Sequence, residues 1–192
     1  MGVLLYSLWD GAGMGGRRRG RREYSVCLER NPYLIPSLYV EGMPSVDGYL
    51  ELVGEEASVV DRCSGVGRCF GKRIYGVELD SIVDLLGKKA VRSFIVVPPE
   101  SGGEGLLVEK DTYLEPIPVE GLKTTVVVCE GVEVDVEDTL GYVFTRKGEV
   151  RRIRTHVSGV VVYIYSSPEG PPDQNIVMIA PKEAVKRVRI RR

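Results

Sequence analysis

Histidine is almost missing from this chain: His156 stands alone among 192 residues. A zinc centre built from imidazoles is therefore excluded, and the four cysteines do not supply the missing ligands. Only Cys63 and Cys69 are near neighbours, and their C-x5-C spacing falls outside the C-x2–4-C pairing of zinc sites. Cys27 and Cys129 stand far from them. Four cysteines in a chain this long make no disulfide scaffold, so they read as ordinary thiols. The alternative is one local bridge between Cys63 and Cys69, least surprising in a protein from a hyperthermophile.

Long apolar runs are absent as well. None approaches the ~20 residues that a membrane-crossing helix needs, so no membrane association is expected. The opening "MGVLLYSLWDG" has neither a basic n-region nor an A-x-A-like cleavage site. Tyr6 stands where the myristoylation pattern requires Ser or Thr. The expected location is cytoplasmic.

Catalytic signatures are equally scarce. There is no G-x-S-x-G elbow, and a Ser-His-Asp triad would have to use His156, which reads as a structural residue. The glycine-rich "CSGVGRCFGKR" nearly fits two phosphate cradles and fails both. Counted back from Gly71, a Walker loop finds Val66 at its first glycine and Arg73 in place of Ser or Thr. A dinucleotide fingerprint starting at Gly65 and Gly67 finds Phe70 at its third glycine. The cluster therefore reads as a glycine-rich connection, a hairpin or a bulge. Carboxylates abound, but their spacing selects no acid–base pair, and enzymatic activity is not expected.

What the chain does hold is unevenly placed. Hydrophobic residues make up 43% and charged residues 28%, as in a soluble globular protein. Net charge is +4 over residues 1–22, −12 over 23–140 and +7 over 141–192. Such segregation marks either an interaction surface or basic ends folded back on an acidic middle.

Residues 1–22 read as a flexible basic lead, glycine-rich at 11–16 and with five Arg within 17–22. Residues 23–122 read as a β-rich α+β domain, with short strand-like segments at 24–29, 37–41, 47–53, 57–61 and 72–79. One helix is predicted over 80–94, "DSIVDLLGKKAVRSF", capped by Asp80 or Ser81 and carrying Ile82, Leu85 and Leu86 on one face. "SFIVVPP" reads as a strand ended by its prolines, and 99–105 as a loop.

Residues 123–181 form the clearest unit. Val132, Val134 and Val136 alternate with Glu133, Asp135 and Glu137, which predicts one buried and one acidic face. "LGYVF", a basic turn, "VRRIRTHVSGVVVYIY" and "IVMIA" follow, an all-β pattern in two halves joined by a hairpin. The final residues, 182–192, form a basic tail or a strand that returns to the edge of the first domain. The fold class is thus mainly β, α+β overall.

Two motifs in this unit carry a resemblance. "VCEGVEVDVEDTL" follows the form V-x-x-G-x-x-V-x-x-G-D-x-L, with Gly131, Val134, Asp138 and Leu140 in place and Glu137 at the second glycine. "IRTHVSGVV" follows the return form V-x-[SA]-P-x-x-G-x-V, with Thr155 at the small position, His156 at the proline and Gly159 in place. Residues 128–180 thus resemble a biotinyl/lipoyl-type barrel-sandwich hybrid. With its "FTRKGEVRRI" hairpin, the whole chain resembles an uncharacterised archaeal family joining such a domain to a β-rich N-terminal one.

The resemblance implies a lysine at the hairpin tip, and Lys147 stands there beside Gly148. Biotin domains place this lysine in A-M-K-M and lipoyl domains in D-K-A, whereas here it is "TRKGE". The distance from Lys147 to Gly159 is also one position longer than in those carriers. The leading expectation is therefore an unmodified, non-enzymatic scaffold or binding module, with protein partners and no cofactor. The rival is a swinging-arm carrier bearing biotin or lipoyl on Lys147. A third reading gathers Arg146, Lys147, Arg151, Arg152 and Arg154 as a basic surface for RNA or another anionic ligand. These arginines are set against Glu133, Asp135 and Glu137, which could pair with them across strands, and no RNP-like aromatic platform accompanies them.

Overall fold

The computed structural model describes residues 27, 34–77, 79–99, 101–167 and 173–191. In chain order its first strands are β1 (Ser37–Glu41), β2 (Tyr49–Val53), β3 (Glu56–Val60) and β4 (Arg68–Arg73). A short ribbon of β5 (Val83–Asp84) and β6 (Lys89–Ala90) precedes β7 (Phe94–Val97) and β8 (Glu104–Val108). The second half contains β9 (Glu115–Gly121), β10 (Lys123–Val126), β11 (Glu133–Val134) and β12 (Thr139–Phe144). It continues through β13 (Val150–Arg154), β14 (Gly159–Ser166), β15 (Asp173–Ala180) and, after one 3-10 turn, β16 (Val185–Arg191).

Seven strands close into a barrel in the order β1-β4-β2-β3-β16-β8-β7. The C-terminal segment expected at an edge is instead a full barrel member. It runs parallel to β3 (Arg189 opposite Glu56) and antiparallel to β8 (Val188 opposite Gly105). Closure removes the unpaired edge that β3 or β8 would otherwise expose. Tyr39, Leu50, Leu52, Phe70, Ile95, Leu107 and Val188 fill its interior.

Beside the barrel lie a four-stranded sheet, β11-β14-β15-β9, and a three-stranded one, β10-β12-β13. The four-stranded sheet is buried on both faces. Val160, Val162, Met178 and Ala180 pack with Leu38, Phe94, Val96 and Val108 from the outside of the barrel. Val161, Val177 and Ile179 pack with Leu140 and Val143 of the three-stranded sheet. Two-sided burial is why "VVVYIY" and "IVMIA" read as continuous apolar runs rather than alternating ones. At the seam, the Tyr75 and Tyr163 rings stand 4.7 Å apart, and the Ile164 N–H donates to the Tyr75 hydroxyl at 2.8 Å.

The predicted helix over 80–94 is not formed. Val83 pairs with Ala90 and Asp84 with Lys89, and Leu86 lies at the turn between them, 99% exposed. Tertiary hydrogen bonds override the helical periodicity: the Ala90 N–H donates to the Thr112 carbonyl and the Leu114 N–H to that of Lys88. The segment expected at 72–79 ends as a strand at Arg73, and the segment expected at 24–29 lies outside the described residues apart from Cys27. Val136 is exposed rather than buried, because β11 is only two residues long and the chain turns directly after it.

The cysteines are not free thiols. Cys63 bridges Cys69, and Cys27 bridges Cys129 across 102 positions. The glycine-rich loop closed by the first bridge is occupied by the chain's own carboxylate. Glu51 accepts hydrogen bonds from the Ser64 hydroxyl at 2.7 Å and from the Ser64 and Gly67 N–H groups. These donors hold the Glu51 carboxyl below its ordinary range.

Candidate functional site

The β12–β13 hairpin turns over Thr145–Glu149. The Thr145 N–H donates to the Glu149 carbonyl at 2.9 Å and the Gly148 N–H to the Thr145 carbonyl at 3.0 Å. Gly148 has φ +77°, a left-handed conformation that its missing Cβ makes inexpensive. Arg146 and Lys147 are therefore presented at the tip, both exposed.

Register assigns the remaining residues to faces. Across β12–β13, Tyr142 stands opposite Arg152, Phe144 opposite Val150, and Val143 opposite Arg151. Across β10–β12, Phe144 stands opposite Lys123 and Tyr142 opposite Thr125. Directly paired residues of an antiparallel sheet share a face. Val143 points into the core, so Tyr142 and Phe144 point outward with Lys123, Thr125, Val150 and Arg152. The rings are 43% and 41% exposed. The sequence carries no RNP-like aromatic motif, and strand alternation places these two rings on one face.

The arginines divide into two groups. Arg154 pairs with Glu137 at 2.6 Å and Arg151 with Glu149 at 2.9 Å. Glu133 is taken by Lys182 at 2.6 Å, so the cross-strand pairing of the arginines with the Val132–Glu137 segment extends only to Glu137. Exposed pairs of this kind contribute ~0–1 kcal/mol and mainly orient their side chains. Among the described residues, Arg146, Lys147, Arg152 and Lys123 form no ion pair.

A second cluster escaped the sequence reading. Glu115, 4% exposed at the start of β9, receives Lys88 Nζ at 2.9 Å, the Tyr113 hydroxyl and His156 Nε2 at 3.1 Å. Burial pushes the Glu115 carboxyl up, but the Tyr113 hydroxyl and the Lys88 ammonium outweigh it and hold it below its usual range. Bonding to that carboxylate raises both Lys88 and Tyr113. Both groups thus stay protonated, which suits a structural hub rather than a base or nucleophile. No sequence signal joins these residues, since the contacts span 27 and 41 positions.

A third group lies at one end of the barrel interior, on the inward face shared with Phe70 and Leu107. Arg68 pairs with Glu41 at 2.7 Å and Glu109 at 2.8 Å, its guanidinium 5.2 Å from the Phe70 ring centre. Hydrogen bonding to Arg68 takes the Glu109 carboxyl down to about 2. Among the described residues no three His, Cys, Asp or Glu side chains gather as a metal site, and no helix is long and apolar enough to cross a membrane.

A mostly β chain with a closed seven-stranded barrel is the class these observations define. Residues 33–182 match the family described as "Uncharacterized protein conserved in archaea (DUF2118)", and the chain belongs to that family. It is also similar to "Uncharacterized protein MJ0859" of Methanocaldococcus jannaschii, with 27% identity over 160 residues. That match covers 79% of this chain and 94% of the relative.

Proposed function

We propose that the chain is a non-enzymatic binding module of the cytoplasm. In this reading its hairpin-bearing unit is a biotinyl/lipoyl-like barrel-sandwich domain without the attached cofactor, and its partners carry negative charge. Backbone geometry supports the domain likeness. The two glycine positions of the first motif, Gly131 and Glu137, both lie in the left-handed region, at φ +88° and +72°. The small position, Thr155, is 1% exposed, and a Cβ at Gly159 would collide with the Ala180 carbonyl oxygen.

The observation that carries the binding reading is the outer face of the three-stranded sheet, where Lys123 and Arg152 form no ion pair with the described residues and flank two exposed rings. A carrier lysine needs only an accessible tip. A face that leaves cations and aromatics exposed together has a further use, since those groups gain most when a partner covers them.

The rival is the carrier, with biotin or lipoyl joined to Lys147, and the exposed tip beside Gly148 favours it. Intact-mass measurement on protein from its native host, grown replete in both cofactors, separates the two. Unmodified mass is the expected result. An adduct of biotin or lipoyl mass that disappears in Lys147→Ala would overturn the binding-module reading.

A further inference from the structure

We infer that the outer face of the β10-β12-β13 sheet is a stacking platform for single-stranded nucleic acid, a reading that rests on the binding-module assignment and names its partner. Tyr142 and Phe144 are two positions apart on one strand, so their side chains project from the same side, about 7 Å apart at Cα. That separation lets two unstacked bases each cover one ring. Each ring also has a cation at its own register position, Arg152 opposite Tyr142 and Lys123 opposite Phe144. Arg146 and Lys147 extend the positive edge beyond Phe144 at the hairpin tip.

Charge complementarity selects the occupant. The residues around the two rings on this face, Lys123, Thr125, Val150, Arg152 and, further along β13, Arg154, include no carboxylate. The nearby Glu149 and Glu137 are engaged by Arg151 and Arg154. An acidic peptide would satisfy the cations and leave the rings idle, and a neutral sugar would do the reverse. A duplex hides its base faces in its own stack. A single strand offers phosphates and open π-faces together along its length, and it does so for any sequence.

The test is fluorescence anisotropy of the full chain with labelled oligouridine and oligodeoxythymidine of about twelve nucleotides, beside a duplex of equal length, at about 50 mM salt. Expected are binding to the single strands well above the duplex, and a loss of roughly five- to 150-fold for Tyr142→Ala and for Phe144→Ala. Arg152→Ala should weaken binding and make the logarithmic salt slope shallower by about 0.7. Unchanged thermal melting of the variants keeps folding out of the comparison. The inference is overturned by no binding at low salt, by equal binding of duplex and single strand, or by a Tyr142→Ala/Phe144→Ala pair that binds like the wild type. Those outcomes leave the binding-module reading standing if Lys147 carries no adduct by mass. An adduct there would remove that reading whatever the oligonucleotides do.

Discussion

Glu115 and His156 meet at 3.1 Å although 41 positions separate them, and the buried carboxylate is the common acceptor for three segments of the chain. Glu115→Gln keeps the shape and removes the charge that Lys88 and His156 address. The expected loss is about 1–3 kcal/mol of unfolding free energy, read by denaturant titration. Because the folded carboxyl lies below its ordinary range, its contribution is present above that range. It disappears as pH falls through the depressed folded value. A variant as stable as the wild type would remove the hub assignment.

The Glu41–Arg68–Glu109 bridge predicts a second acid-sensitive term. Glu109 titrates at about 2 when folded, against an ordinary 4.5. Its stabilisation is therefore complete above the unfolded value and is lost between about pH 4.5 and 2. Arg68→Gln should flatten the fall in melting temperature across that window. A parallel fall in wild type and variant would show that the bridge contributes nothing to acid stability.

Glu137 occupies the left-handed region at φ +72°, where a Cβ costs ~1–2 kcal/mol. Glu137→Gly removes that cost and gives up only the exposed pair with Arg154, worth ~0–1 kcal/mol. The net expectation is a gain of about 0.5–1 kcal/mol. Glu137→Val, β-branched at the same φ, should be destabilising. The same sign for both would count against backbone strain as the cause.

The two disulfides should contribute unequally. Entropy of the unfolded chain assigns about 4–5 kcal/mol to the loop between Cys27 and Cys129, and about 2 kcal/mol to that between Cys63 and Cys69. Cys27→Ser should therefore lower the melting temperature more than Cys63→Ser, and reductant should abolish the difference. Equal effects would show that native packing, not chain entropy, sets the contribution.

Local pattern carried part of this fold into the sequence. The strands of the second half were legible from alternation, from "IVMIA" and from the hairpin around Lys147, because period two and a glycine turn are local properties. The helix over 80–94 was misread because its periodicity is local while the hydrogen bonds from Ala90 and Leu114 that decide the outcome are not. The Cys27–Cys129 bridge and the Glu115 cluster had no signature in spacing. Tyr142 and Phe144 were within reach: "YVF" with a buried Val143 already places both rings outward. The strand leading to Lys147 holds more informative side chains than the hairpin tip itself.

The position of β16 has a consequence for synthesis. Arg191 pairs with Glu56 across 135 positions, and between them the ribosome must release the whole of both open sheets. The barrel cannot close while that interval is being made, so β3 and β8 wait with bare edges until Val185–Arg191 arrives. The second half of the chain can assemble its strands during that wait. The first half to be translated is thus the last to be finished, and a chaperone that shields open β-edges would act on it before any other part.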